Sequence, residues 1–542
     1  MADPLQQPND RPAIVDLICI GGGLGGMAAA IRAHDRGLSV MILESSAYVG
    51  GGAAYSGGLC WLPGMIGQDS AEAGNDYLTH VEGEKTGSDP QKRLAMIGSM
   101  VEAAQYFRQA GINLDVVAGN PDVFYPAAKG SVGSGRMFES AVSASALGEW
   151  RERLMPSPHY RIGLRHRELY DDALGLDEKE QLFARRRVED LLTMGTGLSG
   201  SFVAAALIER GIPCLTGHRV NRLIVRAGKV AGVEATTVDG MSRTFLARRG
   251  VIFATGGYSW AKDVADIEGL PDFVDAGPPS NAGDHLSMAT LLGAAVVRGC
   301  GPQFSMGGVI DRREVHPGSE QVVCRQLFDV MGLPHTLVIN RDGKRFGDES
   351  YYVGINEALR EWDPIGKRWV NFPCFLIFDE QYRQTYPLAG LSPSGDYPDT
   401  VVQAESLEAL AQKLGIDGAA LVETAYRFSE AAERGEDPDF GRGTLAFVRR
   451  RYGDLRHQPN ANLGSVQKPP FYGLQLRLLG TGMCTFGLKT DACGRVQRMD
   501  DTAIAGLFAI GNAAASSEFR AYVTGYANSR NIGMAYAAAN AV

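Results

Sequence analysis

The sequence contains few of the patterns that mark metal, disulfide or nucleic-acid-binding proteins. Its eight cysteines lie far apart without a CxxC pair, and its nine histidines have no HxxH or HxxxH spacing. We therefore expect neither a disulfide framework nor a metal site. Lys and Arg are scattered through a chain of net charge −9, which argues against nucleic acid as a partner.

Long apolar runs are also missing. The first ten residues are polar, and the apolar run after them ends at Gly21, too short and wrongly flanked for a signal peptide or a membrane span. We therefore expect a cytoplasmic protein. With 542 residues, 45% of them hydrophobic, the chain is long enough for two or more domains with large cores.

Glycine is abundant, with 68 residues, and its first cluster follows an apolar run. Residues 14–20 predict a buried parallel strand, residues 24–36 a helix, and residues 38–43 a second strand. Strand, helix and strand in this order form a βαβ unit, the fold element that binds dinucleotides.

The glycines between the first strand and the helix fit the dinucleotide-binding pattern GxGxxG. Gly21 makes the tight turn, Gly23 lets the backbone approach a pyrophosphate, and Gly26 lets the helix pack on the strand. The helix N-terminus supplies N–H groups and positive charge to the phosphates. Glu44 follows the second strand at about the spacing expected for a carboxylate that binds a ribose.

A second glycine-rich segment favours FAD over NAD. Residues 45–64, SSAYVGGGAAYSGGLCWLPG, contain too much glycine for a helix and can bring backbone close to a flat ligand. A plain NAD-binding fold does not need this loop. Two later strands add to the pattern: one follows a predicted meander at 219–240 and ends in ATGG, and one ends in GN before an Ala-rich helix.

GGGLGG, Glu44, GGGAAYSGG, ATGGY and GLFAIGN, in this order, resemble the FAD-dependent succinate dehydrogenase and fumarate reductase flavoprotein family over nearly the whole chain. The resemblance implies an α/β fold. Residues 12–296 and 468–542 would form a Rossmann-like, glutathione-reductase-type FAD-binding domain, and residues 297–467 an inserted α+β cap, or substrate, domain. Within the cap we expect a hairpin at 337–350 and a helical run at 406–435.

The resemblance also implies the residues that bind FAD. Covalently flavinylated members carry a histidine in the loop after the ribose carboxylate, and residues 45–58 contain none, so the FAD is expected to be non-covalent. The predicted cofactor-binding residues are Gly21, Gly23, Gly25, Gly26, Glu44, Ser45, Gly51, Gly52, Ala54, Ser56, Gly57, Gly58, Ala254, Thr255, Gly256, Gly511, Asn512, Asn528 and Ile532.

The segment 480–491, GTGMCTFGLKTD, distinguishes branches of the family. Fumarate reductases carry here a histidine that helps to clamp a dicarboxylate, and Met483 and Cys484 stand in its place. FGLKTD resembles the GGLRTD of the family's steroid-ketone dehydrogenases. This resemblance implies a cyclic ketone as the substrate, a 3-ketosteroid or a smaller ring.

Steroid-ketone dehydrogenases use tyrosines, and the resemblance places candidates in three segments. Tyr125 lies in NPDVFYP before a GR dipeptide, and Tyr351 and Tyr352 follow RFGDES. Counting forward from Gly511 selects Tyr522; counting back from Gly533 selects instead Tyr526 with Asn528, or Arg530 at the fumarate reductase arginine. We favour Tyr522 and Tyr526 at the substrate carbonyl, with Arg530 as the candidate carboxylate binder.

These features predict an FAD-dependent α,β-dehydrogenase, or desaturase, of a cyclic ketone. A tyrosine assists removal of the α-proton, and flavin N5 takes the β-hydride. One alternative is an enoate or dicarboxylate reductase or dehydrogenase of the fumarate reductase type. Another is an FAD-containing hydratase or isomerase without net redox chemistry. The electron acceptor and the number of subunits stay open.

Overall fold

The computed structural model describes residues 12–67, 69–83, 90–122, 124–160, 162–169, 174, 176–299, 304–316, 319–515 and 523–542. At positions 92, 176–177, 310–316, 319–322 and 352–353 only the backbone is described. The chain divides into two compact units. Unit 1 contains the described residues up to Ala261, those of Gly277–Gln303, and Gly482–Val542; unit 2 contains Lys262–Ala276 and Phe304–Thr481.

The elements of both units are numbered in chain order. The strands are β1 (Ala13–Ile20), β2 (Val40–Leu43), β3 (Cys60–Trp61), β4 (Asp115–Val116), β5 (Met137–Glu139), β6 (Val142–Ser143), β7 (Leu191–Leu192), β8 (Cys214–Leu215), β9 (His218–Arg226), β10 (Lys229–Thr237), β11 (Ser242–Phe253), β12 (Val274–Asp275), β13 (Val296–Arg298), β14 (Phe304–His316), β15 (Ser319–Gln326), β16 (Thr336–Asn340), β17 (Trp362–Asp363), β18 (Arg368–Trp369), β19 (Cys374–Asp379), β20 (Val402–Ala404), β21 (Phe471–Gln475), β22 (Arg477–Gly480), β23 (Phe486–Leu488), β24 (Arg495–Gln497) and β25 (Ala503–Ala509). The helices are α1 (Leu24–Asp35), α2 (Gly51–Tyr55), α3 (Ala71–Glu82), α4 (Pro90–Gln109), α5 (His166–Leu169), α6 (Leu176–Val188), α7 (Met194–Val203), α8 (Val264–Glu268), α9 (Asp284–Thr290), α10 (Phe328–Met331), α11 (Tyr352–Ile355), α12 (Glu380–Thr385), α13 (Leu407–Leu414), α14 (Gly418–Glu433), α15 (Ala446–Tyr452) and α16 (Tyr526–Ala541).

The main sheet of unit 1 has the strand order β24-β25-β11-β1-β2-β8. The contacts from β25 through β11, β1 and β2 to β8 are all parallel, which fits the continuous apolar runs of these strands. β10 joins β11, and β9 joins β10, both antiparallel. The predicted βαβ unit and meander are therefore confirmed.

Helices α1 and α16 pack against each other, and α16 also packs against α4. Small side chains make the first contact close, because α1 is rich in buried glycine and alanine. The C-terminal helix of the chain thus lies against the first helix, and both belong to the core of unit 1.

Unit 2 contains two four-stranded sheets, β12-β22-β14-β15 and β16-β19-β21-β20, and the small hairpin β17-β18. Helices α13 and α14 pack together, and α13 covers β20 and β21. Their apolar side chains, with those of β16 and β19, form a second buried core. The first sheet is mixed and the second is antiparallel throughout, and helices accompany them, which agrees with the α+β architecture that the sequence predicts.

A buried cluster of charged side chains lies inside unit 2. Arg345 donates to Asp437 at 2.8 Å and to Glu349 at 2.7 Å, and Arg442 donates to Glu349 at 3.0 Å. Arg442 also donates to the carbonyl oxygen of Thr336 at the start of β16. All four charges are paired, as deep burial requires.

The predicted hairpin at 337–350 has its tight turn but lacks its second strand, so the hairpin prediction is wrong. A turn closes where Gly343 N–H donates to the Asn340 carbonyl at 3.0 Å. The N–H of Asn340 also donates to the carbonyl oxygen of Lys344 at 2.9 Å, but residues 341–351, all of them described, form no second strand. Strand β16 pairs with β19 instead.

The predicted helical run at 406–435 is two helices rather than one. Helix α13 ends at Gly415, which adopts the left-handed conformation with φ 70°. Asp417 then begins α14 by accepting a hydrogen bond from the N–H of Ala420 at 3.0 Å. A glycine stop followed by an aspartate cap is a common way to separate two helices.

The structural boundary between the units differs from the expected domain boundaries. Unit 2 begins its long stretch at Phe304 rather than at 297, and it ends at Thr481 rather than at 467. It also takes Lys262–Ala276, which the sequence assigned to the FAD-binding domain. The functional division into FAD-binding and cap domains stays a prediction.

No helix of the described residues is both long and apolar enough to cross a membrane.

Candidate functional site

The turn between β1 and α1 is shaped by glycines that have no room for a side chain. Gly21 has a φ of 112°, and a Cβ there would overlap the carbonyl oxygen of Ala254 at the end of β11. A Cβ at Gly26 would overlap the carbonyl oxygen of Gly21. These two positions require glycine for packing alone.

Gly23 differs from Gly21 and Gly26 because a Cβ at this position would overlap no atom. The nearest atom to a Cβ at this position is the Cα of Gly51, at an ordinary 3.6 Å. Gly23 is also the N-cap of α1, and no side chain caps the helix. A helix N-terminus that no side chain caps suits a phosphate group.

The carboxylate of Glu44 lies beside this turn and is 8% exposed. Its Oε2 accepts from the N–H of Gly22 at 2.6 Å, and its Oε1 accepts from the N–H of Ser46 at 2.8 Å. Ser45 adds a hydroxyl contact at 3.3 Å. Burial raises the pKa of the Glu44 carboxyl, and the two backbone bonds lower it by less.

The glycine-rich segment after Glu44 is not wholly a loop, and that prediction is wrong. Residues 51–55 form helix α2, with Gly51 at its start in the left-handed conformation with φ 57°. Helix α2 packs on α7, where a Cβ at Gly195 would overlap the carbonyl oxygens of Ala53 and Ser56. Close tertiary packing therefore overrides the low helix propensity of glycine.

The residues after α2 are held by hydrogen bonds that the sequence did not reveal. Ser56 Oγ donates to the carbonyl oxygen of Ala53 at 2.8 Å and accepts from the N–H of Gly58 at 3.0 Å. His166 Nε2 lies 2.8 Å from the carbonyl oxygen of Gly57. His166 is far away in sequence, so no local pattern pointed to it.

At the end of β11, Ala254 and Thr255 lie beside the glycine turn. The hydroxyl of Thr255 lies 3.0 Å from Nδ1 of His285, which is fully buried. Burial lowers the pKa of His285 to about 4, so the ring is neutral at pH 7. A Cβ at Gly256 would overlap the side-chain oxygen of Asn281. His285 and Asn281 were not predicted.

The end of β25 meets α16 through one amide that the sequence also missed. The side-chain oxygen of Asn531 occupies the space where a Cβ of Gly25 or Gly511 would lie. Asn528 donates to the carbonyl oxygen of Leu59 at 2.9 Å. The predicted cofactor residues of α1, β25 and α16 therefore lie together, and Ile532 is fully buried beside them.

Asn512 links three segments of unit 1. Its Nδ2 donates to the carbonyl oxygen of Gly482, and its Oδ1 accepts from Arg530 at 3.2 Å. Arg530 is 2% exposed and also lies 3.9 Å from the sulfur of Met534. The guanidinium charge is thus fixed close to the end of β25.

The candidate tyrosines of unit 1 have different exposures. Tyr125 is partly exposed and packs against the core of unit 1. Tyr526 is 1% exposed and packs on Trp61 with ring centroids 5.8 Å apart, which favours packing for this residue. Tyr522 lies outside the described residues.

The candidates of unit 2 are Tyr351 and Tyr352. Tyr351 is partly buried against Phe447, with ring centroids 6.0 Å apart. Burial, with a smaller contribution from the Asp348 carboxylate, raises the pKa of Tyr351 to about 12. Its hydroxyl therefore keeps its proton in this structure. The side chain of Tyr352 lies outside the described part.

The residues of unit 1 fit FAD. Gly23 and the uncapped start of α1 suit the pyrophosphate, the buried Glu44 suits a ribose hydroxyl, and α2 begins beside the same turn. Among the described residues, no group of three His, Cys, Asp or Glu side chains is arranged to hold a metal ion.

The model of the family described as FAD binding domain matches residues 16–528. The chain belongs to this FAD-binding family. FAD is therefore its cofactor, and the protein is an FAD-dependent oxidoreductase, as the sequence predicted.

Two curated relatives of this family member are similar over most of its length. A 4-oxocyclohexanecarboxylate 2-dehydrogenase of Sinomonas cyclohexanicum is 30% identical over 534 residues, covering 94% of this chain and 89% of the relative. A 3-oxosteroid 1-dehydrogenase of Mycobacterium tuberculosis (strain ATCC 25618 / H37Rv) is 30% identical over 545 residues, covering 92% of this chain and 93% of the relative.

A solved structure shows the same fold. The 3-ketosteroid Δ1-dehydrogenase of Sterolibacterium denitrificans, crystallised with 1,4-androstadiene-3,17-dione, matches with a TM-score of 0.86 and 26% identity. The match covers 97% of this chain and 99% of that chain. The predicted fold class and the resemblance to the ketosteroid dehydrogenase branch are confirmed.

Proposed function

We propose that this protein is an FAD-dependent α,β-dehydrogenase of a cyclic ketone. The observation that carries the proposal is a chemical pattern shared by two relatives that match more than nine-tenths of the chain. One is named for a 4-oxo ring dehydrogenated at position 2, and the other for a 3-oxo ring dehydrogenated at position 1. In both names the reacting position is the β-carbon of the ketone.

The segment around Cys484 supports a ketone rather than a dicarboxylate. Met483 and Cys484 are 7% and 6% exposed, and Cys484 Sγ accepts from the N–H of Tyr258 at 3.4 Å. These two side chains stand where the fumarate reductase resemblance places a histidine, and neither carries a charge or a strong donor for a carboxylate. The contacts of Cys484 are with Gly257 and Tyr258 in the segment that follows β11.

The reaction requires a base for the α-proton and a donor to the carbonyl oxygen, while bound FAD supplies the acceptor for the β-hydride. Among the described tyrosines we favour Tyr125 as the base, since it is partly exposed and Tyr526 is almost fully buried. Tyr351, whose pKa is raised to about 12, suits the donor. A donor aimed at a developing enolate contributes roughly 3 kcal/mol.

Anaerobic titration tests the reaction class. The oxidised holoenzyme is mixed without oxygen with a 3-oxosteroid, 4-oxocyclohexanecarboxylate, cyclohexanone or succinate. In a separate experiment the flavin is first reduced chemically and fumarate is then added. We expect lasting bleaching of the flavin absorbance by one or more cyclic ketones and recovery of an α,β-unsaturated ketone. Product formation without bleaching would indicate a hydratase or isomerase, and oxidation of reduced flavin by fumarate would indicate the reductase.

We further propose that the FAD is held without a covalent bond. Residues 45–58 contain no histidine. Of the imidazoles that approach this segment, His166 is engaged through Nε2 with the carbonyl oxygen of Gly57, and His159 packs edge-on against Tyr55 with ring centroids 6.1 Å apart. Acid precipitation should leave the yellow chromophore in the supernatant. Chromophore in the protein pellet would overturn the proposal. If the pellet of His166→Gln contained no chromophore, His166 would be the attachment site.

A cytoplasmic location is our proposal as well. Its support is that the cysteines within the described residues are free thiols, most of them buried, which suits a reducing compartment. Fractionation of cells that produce the protein, followed by flavin fluorescence of each fraction, tests it. Recovery in the membrane fraction after a high-salt wash would contradict it.

A further inference from the structure

Trp61 lies at the centre of unit 1 with no exposed surface, and neither its sequence context nor the FAD pattern assigns it a role. Its indole Nε1–H donates to Oδ1 of Asp122 at 2.9 Å. Its backbone N–H donates to the carbonyl oxygen of Gly525 at 3.2 Å. One residue therefore binds both the segment that precedes Tyr125 and the start of α16.

Asp122 is the point at which the Tyr125 segment is fixed. Besides the indole, its carboxylate accepts from Arg136 Nη1 at 2.8 Å and from the N–H of Val132 at 3.1 Å. The bond to Val132 closes the chain around Tyr125. Burial raises the pKa of Asp122, and Arg136 offsets this effect, so loss of a donor is costly for this carboxylate.

Arg136 is held firmly in turn. It donates to both carboxylate oxygens of Asp69, at 2.9 Å from Nε and 2.6 Å from Nη2, and it lies 5.6 Å from the centroid of the Trp61 ring. The paired Arg136 is 1% exposed. The plane of the indole is thus set by a hydrogen bond at its edge and a cation beside its ring.

The Trp61 ring contacts the rings of two tyrosines. The centroid of the Tyr526 ring lies 5.8 Å from that of the Trp61 ring, and the centroid of the Tyr77 ring lies 6.1 Å from it. Tyr77 in turn contacts Tyr125, with ring centroids 6.4 Å apart. Trp61 is therefore connected to Tyr125 in two ways: through its hydrogen bond to Asp122, in the segment that precedes Tyr125, and through its contact with Tyr77.

We propose that Trp61 is a positioning residue for Tyr125, acting through its hydrogen bond to Asp122 and its contact with Tyr77. The role of Tyr125 as the base rests on the proposed function. The contacts of Trp61 are independent of that function. A displacement of about 1 Å in a reacting group can lower a rate roughly 100-fold, so orientation of this ring governs turnover without contact between Trp61 and substrate.

The test compares Trp61→Phe with Trp260→Phe in the holoenzyme. Both variants keep an aromatic ring and delete one indole N–H bond, since Trp260 Nε1 donates to the carbonyl oxygen of Gly277 at 2.8 Å. Three quantities are measured: FAD affinity, the rate of anaerobic flavin reduction at saturating ketone, and the ¹⁹F resonance of Tyr125 in protein labelled with 3-fluorotyrosine, assigned with Tyr125→Phe.

In Trp61→Phe we expect the reduction rate to fall about 10- to 100-fold, with little change in half-saturation by ketone and FAD affinity equal to that of Trp260→Phe. The Tyr125 resonance should shift or broaden in Trp61→Phe alone. If Trp61→Phe does not fold, Asp122→Asn is used, which keeps the indole and removes the charge; the same changes, of smaller size, are expected.

An unchanged Tyr125 resonance with an unchanged reduction rate in the folded variant would overturn the proposal. If the wild-type flavin is reduced by no cyclic ketone, the proposed function fails, and the Tyr125 resonance still decides whether Trp61 positions this ring. A shifted resonance with a normal rate would place Tyr125 away from the chemistry and would also overturn the proposal.

Discussion

Glu44 and Gly22 are joined by a hydrogen bond of 2.6 Å from the backbone N–H of Gly22 to Oε2 of the carboxylate. This contact fixes the side chain at the end of β2 against the turn that leads into α1. The carboxylate is buried, and its pKa is raised. A further hydrogen-bond donor would stabilise its charged form. We propose that a ribose hydroxyl of FAD is that donor.

We expect Glu44→Gln to weaken FAD binding about 10- to 100-fold. A charge-assisted hydrogen bond contributes about 1.5 to 3 kcal/mol, which corresponds to one to two decades in the dissociation constant. Titration of the FAD-free protein with FAD measures the change. Asp16→Asn is the control, since Asp16 lies on the neighbouring strand β1 and accepts from the N–H of Ser39 at 3.0 Å. Equal affinities of Glu44→Gln and wild type would remove Glu44 from the site.

Two glycines of the same turn should respond differently to alanine. In Gly26→Ala the new Cβ overlaps the carbonyl oxygen of Gly21, and overpacking of this kind costs about 1 to 3 kcal/mol of folding stability. In Gly23→Ala the nearest atom is 3.6 Å away, so the FAD-free protein keeps its melting temperature while FAD affinity falls. Thermal denaturation with and without FAD separates the two; equal destabilisation by both would contradict the assignment.

Residues close in sequence allowed the FAD-binding turn to be predicted. Gly21, Gly23, Gly26 and Glu44 lie within one βαβ unit, whose strand and helix periods are visible locally. Helix α2 was missed for the opposite reason. It begins with two glycines, and its main packing contact is with α7, which is distant in sequence. Local propensity could not reveal that contact.

The contacts that arrange the candidate site are also between distant segments. Trp61 and Asp122 are 61 residues apart, and Thr255 and His285 are 30 residues apart. No periodicity connects such pairs, and without a sequence pattern a lone histidine or tryptophan cannot be told from an ordinary core residue. The tyrosines were found only because their sequence contexts resemble those of a family.

Among the described tyrosines, Tyr125→Phe should reduce turnover the most. Loss of a general base lowers a rate typically 10²- to 10⁴-fold, whereas Tyr351→Phe removes a donor and should cost about 10²- to 10³-fold. The rate of flavin reduction is measured for each variant, with Tyr426→Phe as the control because Tyr426 is 61% exposed on α14. Near wild-type rates in both Tyr125→Phe and Tyr351→Phe would reject the tyrosine mechanism.

His285 should make the protein less stable in mild acid. Its pKa is about 4 in the folded protein because it is fully buried, while an unfolded histidine has a pKa of about 6.5. Between these values the unfolded chain binds the proton and the folded protein does not. Stability is therefore lost as pH falls from 6.5 to 4, by about 3 kcal/mol in total.

We expect His285→Gln to remove most of this loss. Denaturant unfolding at several pH values between 7 and 4 measures it, with His80→Gln, a substitution of an exposed histidine, as the control. A wild-type pH dependence in His285→Gln would show that the buried ring is not the source.

Arg530 should decide between a neutral ketone and a ketone that carries a carboxylate. Kinetics of Arg530→Gln are compared with wild type on a matched pair, cyclohexanone and 4-oxocyclohexanecarboxylate. If the guanidinium binds the carboxylate, the Michaelis constant for the acid should rise on the order of 30-fold or more, because loss of one partner of a buried charge pair costs about 2 to 5 kcal/mol. The neutral ketone should then be unaffected.

We expect the other result, an equal effect on both substrates. Arg530 is 2% exposed and donates to Asn512 at the end of β25, a position that fits an electrostatic effect on the bound cofactor better than contact with substrate. Met483 and Cys484 give no second donor for a carboxylate. Arg530→Lys, which keeps the charge, should then restore the flavin reduction potential that Arg530→Gln lowers. Selective loss of the acid substrate, or efficient turnover of succinate, would overturn this choice.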